Sequence, residues 1–324
     1  MAIREETARL AAAEPVAMRL AAIRYAAEQI NLYEFRPVSG EPVRRFTAGA
    51  HVDLHLPNGL VRQYSIASGE HERDRYLLGV KREAAGRGGS RFIHDELRVG
   101  AVLPVGGPRN NFPLVEHAAH SVLIAGGIGV TPMVSMAARL NSLGRRWQLH
   151  YAVRRRGEAA FAEDLRGGGC FHLHVDEEAG RMLDVERLVR EAPGDAHLYC
   201  CGPAPMLDVF MAAAASRPAG SVHLEHFSAP AAAVAGCGFV VELARSNLAV
   251  SVEPGRTILE ALQARGVCVP SACQQGVCGS CETRVLAGEP DHRDLLLSPE
   301  ERASNEIMMI CCSGSRSPVL VLDL

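Results

Sequence analysis

Three cysteines crowd into the ten residues ACQQGVCGSC, at the spacing Cys273-x4-Cys278-x2-Cys281, and a doublet, Cys311 and Cys312, follows after a long gap. This is the ligand spacing of plant-type [2Fe-2S] centres, in which four thiolates hold two irons. A loop supplying three of them needs tight turns, and Gly276 and Gly279 stand where backbone would pass close to inorganic sulfide. Zinc is the competing reading, but structural zinc sites usually present two pairs at CxxC-like spacing, and here there is one such pair. The fourth ligand is open between Cys311 and Cys312. Neighbours in extended chain point to opposite sides, so one of the two reaches the iron.

A chain of 324 residues is long for a single core and predicts two or three domains, with three expected. Its formal net charge of -3, without a basic patch interleaved with aromatics, argues against a nucleic-acid partner. The opening MAIREETARLAAAEPVAMRL is charged and amphipathic, unlike a secretory signal, and no apolar run approaches membrane-spanning length. The 10 cysteines then fit a reducing compartment, so the expectation is a cytoplasmic protein without a membrane partner. Cys170, Cys200, Cys237 and Cys268 are expected to be buried small residues.

From about residue 16 to 113, short β-like runs such as HVDLHL, RQYSIA and YLLGVKRE alternate with Pro and Gly turns, which predicts a small antiparallel barrel. From about residue 119 the grammar changes to HSVLIAGGIGVTPMVSMAARLNSLG and then WQLHYAV, a strand, a Gly-rich turn, a helix and a strand, implying a parallel sheet. AHLYCCGPAPMLDVFMAAAAS repeats that grammar, with a helix expected over 204–216. SAPAAAVAG, 228–236, reads as a linker. Beyond it, FVVELA and LAVSVEP predict a hairpin, and TILEALQARG a short helix ending at Gly266.

In AGGIGVTP, Gly126, Gly127 and Gly129 leave room for a phosphate to approach the backbone, with Thr131 as N-cap and Pro132 as first helical residue. Gly144 suits the far end of that helix. Cys201, Gly202 and Pro203 lie at the carboxyl end of another parallel strand, where open α/β sheets bind ligands. In RQYSIAS, Arg62 and Tyr64 share one face of a β-like run, a cation beside an aromatic suited to a flavin phosphate and ring. GRGGS precedes the helical RFIHDEL, so the amides of Gly88, Gly89 and Ser90 suit a terminal phosphate. Each motif alone also has an ordinary structural explanation, as a packing turn, a surface pair or a flexible loop.

Taken in this order, RQYS, GRGGS, GGIGVTPM, CGPAPM and the cysteine loop resemble the reductases that serve Rieske-type oxygenases, the phthalate dioxygenase reductase and vanillate O-demethylase reductase group. The resemblance covers nearly the whole chain. It implies an antiparallel β-barrel flavin domain (1–113), an α/β parallel-sheet nucleotide domain (114–227), the linker and a C-terminal α+β, β-grasp plant-type ferredoxin domain (237–324). By similarity the flavin is FMN, since related enzymes that carry FAD place the ferredoxin first. It also implies that Arg62 binds the FMN phosphate, Tyr64 contacts the flavin and Ser65 lies near its redox edge. Gln63, Val80, Lys81, Gly88, Gly89 and Ser90 complete the flavin set, and Met206 joins Cys201, Gly202 and Pro203 in the nucleotide set. Glu225 and Phe227, in LEHF, fall where the family places an acid near the nicotinamide and an aromatic against the flavin. Cys311, first of the doublet, becomes the fourth ligand by the family pattern.

The implied electron path runs from NADH to FMN, to the [2Fe-2S] cluster, to a terminal Rieske-type oxygenase. Flavin converts a hydride into single electrons, so Ser65, Cys201, Glu225 and Phe227 are expected to orient the reactants, with no essential general acid or base. Arg154, Arg155 and Arg156 follow a predicted strand where a 2'-phosphate site can lie, which leaves NADPH open beside NADH. A stand-alone NAD(P)H oxidoreductase acting on a ferric or quinone acceptor is the alternative enzyme, and a zinc-stabilised binding module the alternative of another class. A monomer is the family expectation.

Overall fold

The computed structural model describes residues 14–167, 169–218, 220–228 and 238–324. The opening 13 residues, the linker from 229 and Cys237 lie outside the described residues. The chain divides into two compact units, Met1–Phe227 and Ser228–Leu324.

The first unit begins with β1 (Val16–Ala27), β2 (Ile30–Pro37), β3 (His51–His55), β4 (Val61–Ser65), β5 (Tyr76–Lys81), helix α1 (Gly89–Asp95) and β6 (Val102–Val105). The antiparallel order is β4-β3-β6-β1-β2-β5, and a bridge from Ile66 to Leu78, just past β4, closes the two ends into a barrel. Closure removes the edges that would otherwise invite pairing with another chain. Met18, Leu20, Tyr33, Phe35, Leu54, Ile66 and Leu78 fill it, each at most 2% exposed.

The parallel sheet follows: β7 (His120–Gly126), α2 (Val130–Ser142), β8 (Arg146–Val153), α3 (Ala162–Leu165), β9 (Cys170–Val175), α4 (Asp176–Ala179), α5 (Val185–Glu191), β10 (Ala196–Cys201), α6 (Ala204–Ala214) and β11 (Val222–Glu225). Its order is β11-β10-β7-β8-β9, so the chain reverses direction beside β7. Alternation along the strands divides the apolar residues. Leu123, Ala125, Leu149, Tyr151, Tyr199 and Cys201 join a core that also holds Ile30, Leu32, Ala67 and Leu77 of the barrel. Val122, Ile124, Leu198 and Cys200 pack under α5 and α6. Barrel and sheet therefore share a core, which fixes the mouth between them.

The helix beginnings differ from expectation. Gly127–Gly129 forms a 3-10 turn and α2 starts at Val130, so Thr131 lies inside the helix, with its hydroxyl donating to the Ile128 carbonyl at 3.0 Å. The 3-10 turn consumes the residues that a one-residue cap would have left extended. Gly144 does end α2, at φ +62. Helix α6 stops at Ala214, two residues earlier than expected. Cys200 is buried as expected, but Cys170 and Cys268 are exposed. Cys170 opens β9, the edge strand of the sheet, on the side of the strand that alternation leaves exposed at its start.

In the second unit, β12 (Phe239–Leu243), β13 (Leu248–Val252), α7 (Ile258–Ala264), β14 (Glu282–Ala287), β15 (Pro290–Asp291), α8 (Pro299–Ser304), β16 (Ile307–Met309), β17 (Gly314–Ser315) and β18 (Val319–Leu322) follow in turn. The main sheet runs β13-β12-β18-β14-β16, with β12 and β18 parallel, and α7 packs Ile258, Leu259 and Leu262 onto it. This is the β-grasp arrangement. Capping boxes at Thr257 with Glu260 and at Ser298 with Glu301 start the two helices by satisfying otherwise orphaned amides.

Candidate functional site

The carboxyl ends of β7 and β10 adjoin in the parallel sheet, and their turns fit together through missing side chains. A Cβ at Gly129 would overlap the carbonyl of Cys201, and one at Gly126 would lie 2.7 Å from Pro203 Cδ and 2.9 Å from Met206 Sδ. Gly202 is equally close to Met206 Sδ, at 2.8 Å. Gly127 is different: it takes φ +54 and would meet nothing within 4 Å, so its face opens to a ligand. Gly79 of β5 brings the barrel against this turn, since a Cβ there would stand 2.8 Å from Thr131 Cγ2. The motif residues Gly126, Gly127, Gly129, Thr131, Pro132, Cys201, Gly202, Pro203 and Met206 thus share one neighbourhood in space.

On the barrel side, β3 pairs His51 with Ser65 and Leu54 with Arg62. The Arg62 guanidinium donates to the Val61 carbonyl at 2.8 Å and to the Arg87 carbonyl at 3.2 Å, which joins β4 to the loop before α1. Gly89 is needed there because a Cβ would stand 2.6 Å from Arg62 Cγ, and Gly88 precedes it in the left-handed region at φ +86. Ser90 Oγ accepts from the Glu83 amide at 3.1 Å, and Lys81 Nζ lies 3.0 Å from Glu83. Val80 is fully buried in the barrel core. Tyr64 is partly buried against the same core, and burial raises its phenol.

Gln63 points the other way, as alternation requires, and donates to Asp53 at 2.7 Å. Asp53 also accepts two bonds from Arg109, at 2.5 and 2.7 Å, with His51 Nε2 3.4 Å from the same guanidinium. All three are at most 6% exposed. Burial raises the Asp53 carboxyl, but the Arg109 bonds outweigh it and the net shift is downward. Burial and the neighbouring Arg109 push His51 down to about 3, keeping it neutral. This network anchors β3 to the chain at 109 and was missed in the sequence, because its members lie up to 58 residues apart.

Ser65 and Glu225 meet where barrel and sheet face one another. Ser65 is 5% exposed; its Oγ and Glu225 Oε2 are both buried with no hydrogen-bond partner of good geometry. Burial pushes the Glu225 carboxyl up to about 8, with proximity of Ser65 opposing the rise. Cys201 is paired in register with Glu225 and wholly buried, and burial drives its thiol well above the ordinary value. Phe227, two residues further on, is 42% exposed. Buried polar oxygens without partners, an open glycine face at Gly127 and the exposed ring of Phe227 thus belong to the ends of the strands where barrel and sheet meet.

In the second unit Cys273, Cys278, Cys281 and Cys311 are each at most 4% exposed. Thiol contacts link Cys273 to Cys278 and to Cys311, and Cys311 to Cys281. Cys311 also touches Cys312, whose Sγ would stand 2.5 Å from a Cβ at Gly276. Gly276 therefore turns its bare side to Cys312 and Asp294, a reason for glycine different from sulfide clearance. Among the described residues no three His, Cys, Asp or Glu side chains converge as a single-ion site. In a binuclear cluster each iron takes two protein thiolates, and the paired contacts suit that donor set.

Comparison with known proteins agrees in both units. Residues 17–113 match the family described as oxidoreductase FAD-binding domain, and 241–315 that described as 2Fe-2S iron-sulfur cluster binding domain. Phenoxybenzoate dioxygenase subunit beta of Ectopseudomonas oleovorans is 52% identical over 96% of this chain and 98% of its own length. Tetrachlorobenzoquinone reductase of Sphingobium chlorophenolicum is 50% identical over 95% and 97%. Among solved structures, phthalate dioxygenase reductase superposes with TM-score 0.72 and 36% identity, covering 96% of this chain and 98% of that one. An intact type IV self-sufficient cytochrome P450 monooxygenase gives TM-score 0.88 and 37% identity over 96% of this chain, which spans only 41% of that protein.

Proposed function

Since the chain belongs to the phthalate dioxygenase reductase family, a flavin and iron-sulfur oxidoreductase family, we propose that it takes electrons from NADH through FMN to a [2Fe-2S] cluster and on to an oxygenase. The observation that carries this reading is the meeting of Ser65, Cys201 and Glu225 between barrel and parallel sheet, on a chain that also buries four thiols joined in a row of contacts. A bound flavin supplies the exchange between a two-electron hydride and single electrons, which a [2Fe-2S] centre carries one at a time.

The residues do the orienting. Arg62 and the turn of Gly88, Gly89 and Ser90 would hold a terminal phosphate, and Tyr64 would lie along the ring. Gly127 leaves its face open for the nucleotide, while Gly126 and Gly129 let the β7 and β10 turns close up. Neutral Glu225 and the Ser65 hydroxyl would position the carboxamide and the ring edge without placing a charge beside the hydride path. Cys201 keeps its proton at neutral pH and acts by shape. Cys273, Cys278, Cys281 and Cys311 would hold the cluster.

FMN is favoured over FAD by the likeness to phthalate dioxygenase reductase along nearly the whole of both chains, together with the iron-sulfur domain lying last in this one. NADH is favoured by charge. Arg155 lies within 3.0 Å of Glu28 and 2.8 Å of Glu158, and Arg156 is paired with Glu178 at 2.7 and 2.5 Å. Asp176, Glu177 and Glu178 follow β9, so a 2'-phosphate would meet carboxylates where ribose hydroxyls find acceptors.

A quinone acceptor is the second reading, supported by the 50% identity to a tetrachlorobenzoquinone reductase. Reconstitution decides between them: NADH-driven turnover by a terminal oxygenase that depends on this protein supports the first. Direct quinone reduction that persists at full rate while no oxygenase accepts electrons supports the second.

A further inference from the structure

The cysteine loop and the segment after Cys311 are separated by some thirty residues, and one intervening stretch, 290–297, touches both. Asp291 pairs with Gly314 between β15 and β17, and the Arg293 amide donates to Ser313 Oγ at 3.2 Å. On the other side, the Leu295 amide donates to the Gly276 carbonyl at 3.0 Å, inside the cysteine loop. Asp294 stands at the centre, 1% exposed, with its Cα and Cβ 2.9 and 3.0 Å from where a Gly276 side chain would begin.

What holds Asp294 is unusual for a surface turn. Its Oδ2 accepts the Leu296 and Leu297 amides at 3.0 and 2.7 Å, and the Arg302 guanidinium donates to its carbonyl while standing 3.7 Å from Oδ2. Oδ1 is buried without a partner, and His292, whose two ring nitrogens are likewise buried and unpartnered, lies 3.9 Å from it. Oδ2 has a structural task in holding the two amides, whereas Oδ1, buried without a partner beside the cysteine loop, carries a desolvation cost that this task does not require.

We propose that Asp294 is a positioning residue for the iron-sulfur centre: it shapes the 294–297 turn that clamps Gly276 and so sets the geometry of Cys273 and Cys278. Outer-shell groups of this kind orient the ligands of a metal site and tune its environment. The proposal rests on the cluster reading above.

The test uses the full chain with its cluster assembled, following cluster release to a chelator by loss of visible absorbance and the reduced centre by electron paramagnetic resonance. Asp294→Ala is expected to release the cluster about 10-fold or more faster than wild type and to broaden or shift the resonance. Asp294→Asn keeps an oxygen for both amides and is expected to stay near wild type in release rate. If Asp294→Ala assembles no cluster, Arg302→Gln, which loosens the same turn from its exposed side, is expected to speed release severalfold with the unit still folded. Wild-type release and resonance in Asp294→Ala, or in Arg302→Gln where that variant is the one read, would overturn the proposal. A wild-type chain that takes up no iron and sulfide contradicts the cluster reading instead.

Discussion

The Ser65 hydroxyl and the Glu225 carboxyl come together from opposite sides of the barrel–sheet mouth, each with a buried oxygen that lacks a partner. One belongs to β4 and the other to β11, the edge strand of the parallel sheet.

That acid gives the first prediction. With Glu225 held up to about 8 in the folded protein and near its ordinary value when unfolded, the folded state binds the extra proton between those limits. Its contribution to stability is full below the unfolded value and is lost as pH rises through 8, at about 1.4 kcal/mol per pH unit. Thermal unfolding of the flavin-free protein should therefore fall more steeply with pH in wild type than in Glu225→Gln. Parallel curves would show that Glu225 is ionised throughout.

A second prediction concerns the doublet. Cys311 touches Cys273 and Cys281, whereas Cys312 faces Gly276. Cys311→Ser is expected to lose most of the cluster absorbance, and Cys312→Ser to keep it. Iron and sulfide content per chain, with flavin reduction by NADH as the control for folding, measures both.

Gly129→Ala is expected to lower kcat/KM for NADH by about 100-fold, the scale of a misplacement near 1 Å. The added methyl would overlap the Cys201 carbonyl and push the β7 and β10 turns apart. Stopped-flow flavin reduction reads this directly, and the visible spectrum of the cluster should not change.

Glu178→Gln removes the carboxylate that holds Arg156. Catalytic efficiency with NADPH is expected to rise about 5-fold, a modest change because both groups are exposed to solvent, while that with NADH changes little. Unchanged selectivity would place the 2'-position elsewhere.

The motifs were legible because each is local. A C-x4-C-x2-C loop, two glycine turns and a short strand carry their chemistry within about ten residues, and steric rules for glycine and strand alternation read them without a fold. The cap of α2 was not legible: Thr131 and Pro132 look like a helix start, but three glycine-rich residues before them already turn as a 3-10 segment. Cys170 and Cys268 were misplaced because a small apolar residue carries no mark of whether its strand or turn is covered.

The sequence by itself determined which chemistries this protein carries, since ligand spacing and turn glycines are properties of neighbouring residues. Tertiary structure alone decided which distant groups share an environment. Asp53 with Arg109, Ser65 with Glu225, and Asp294 with Gly276 are joined by strand register and core packing, and burial then sets their charge, because the cost of ionisation depends on what surrounds a group.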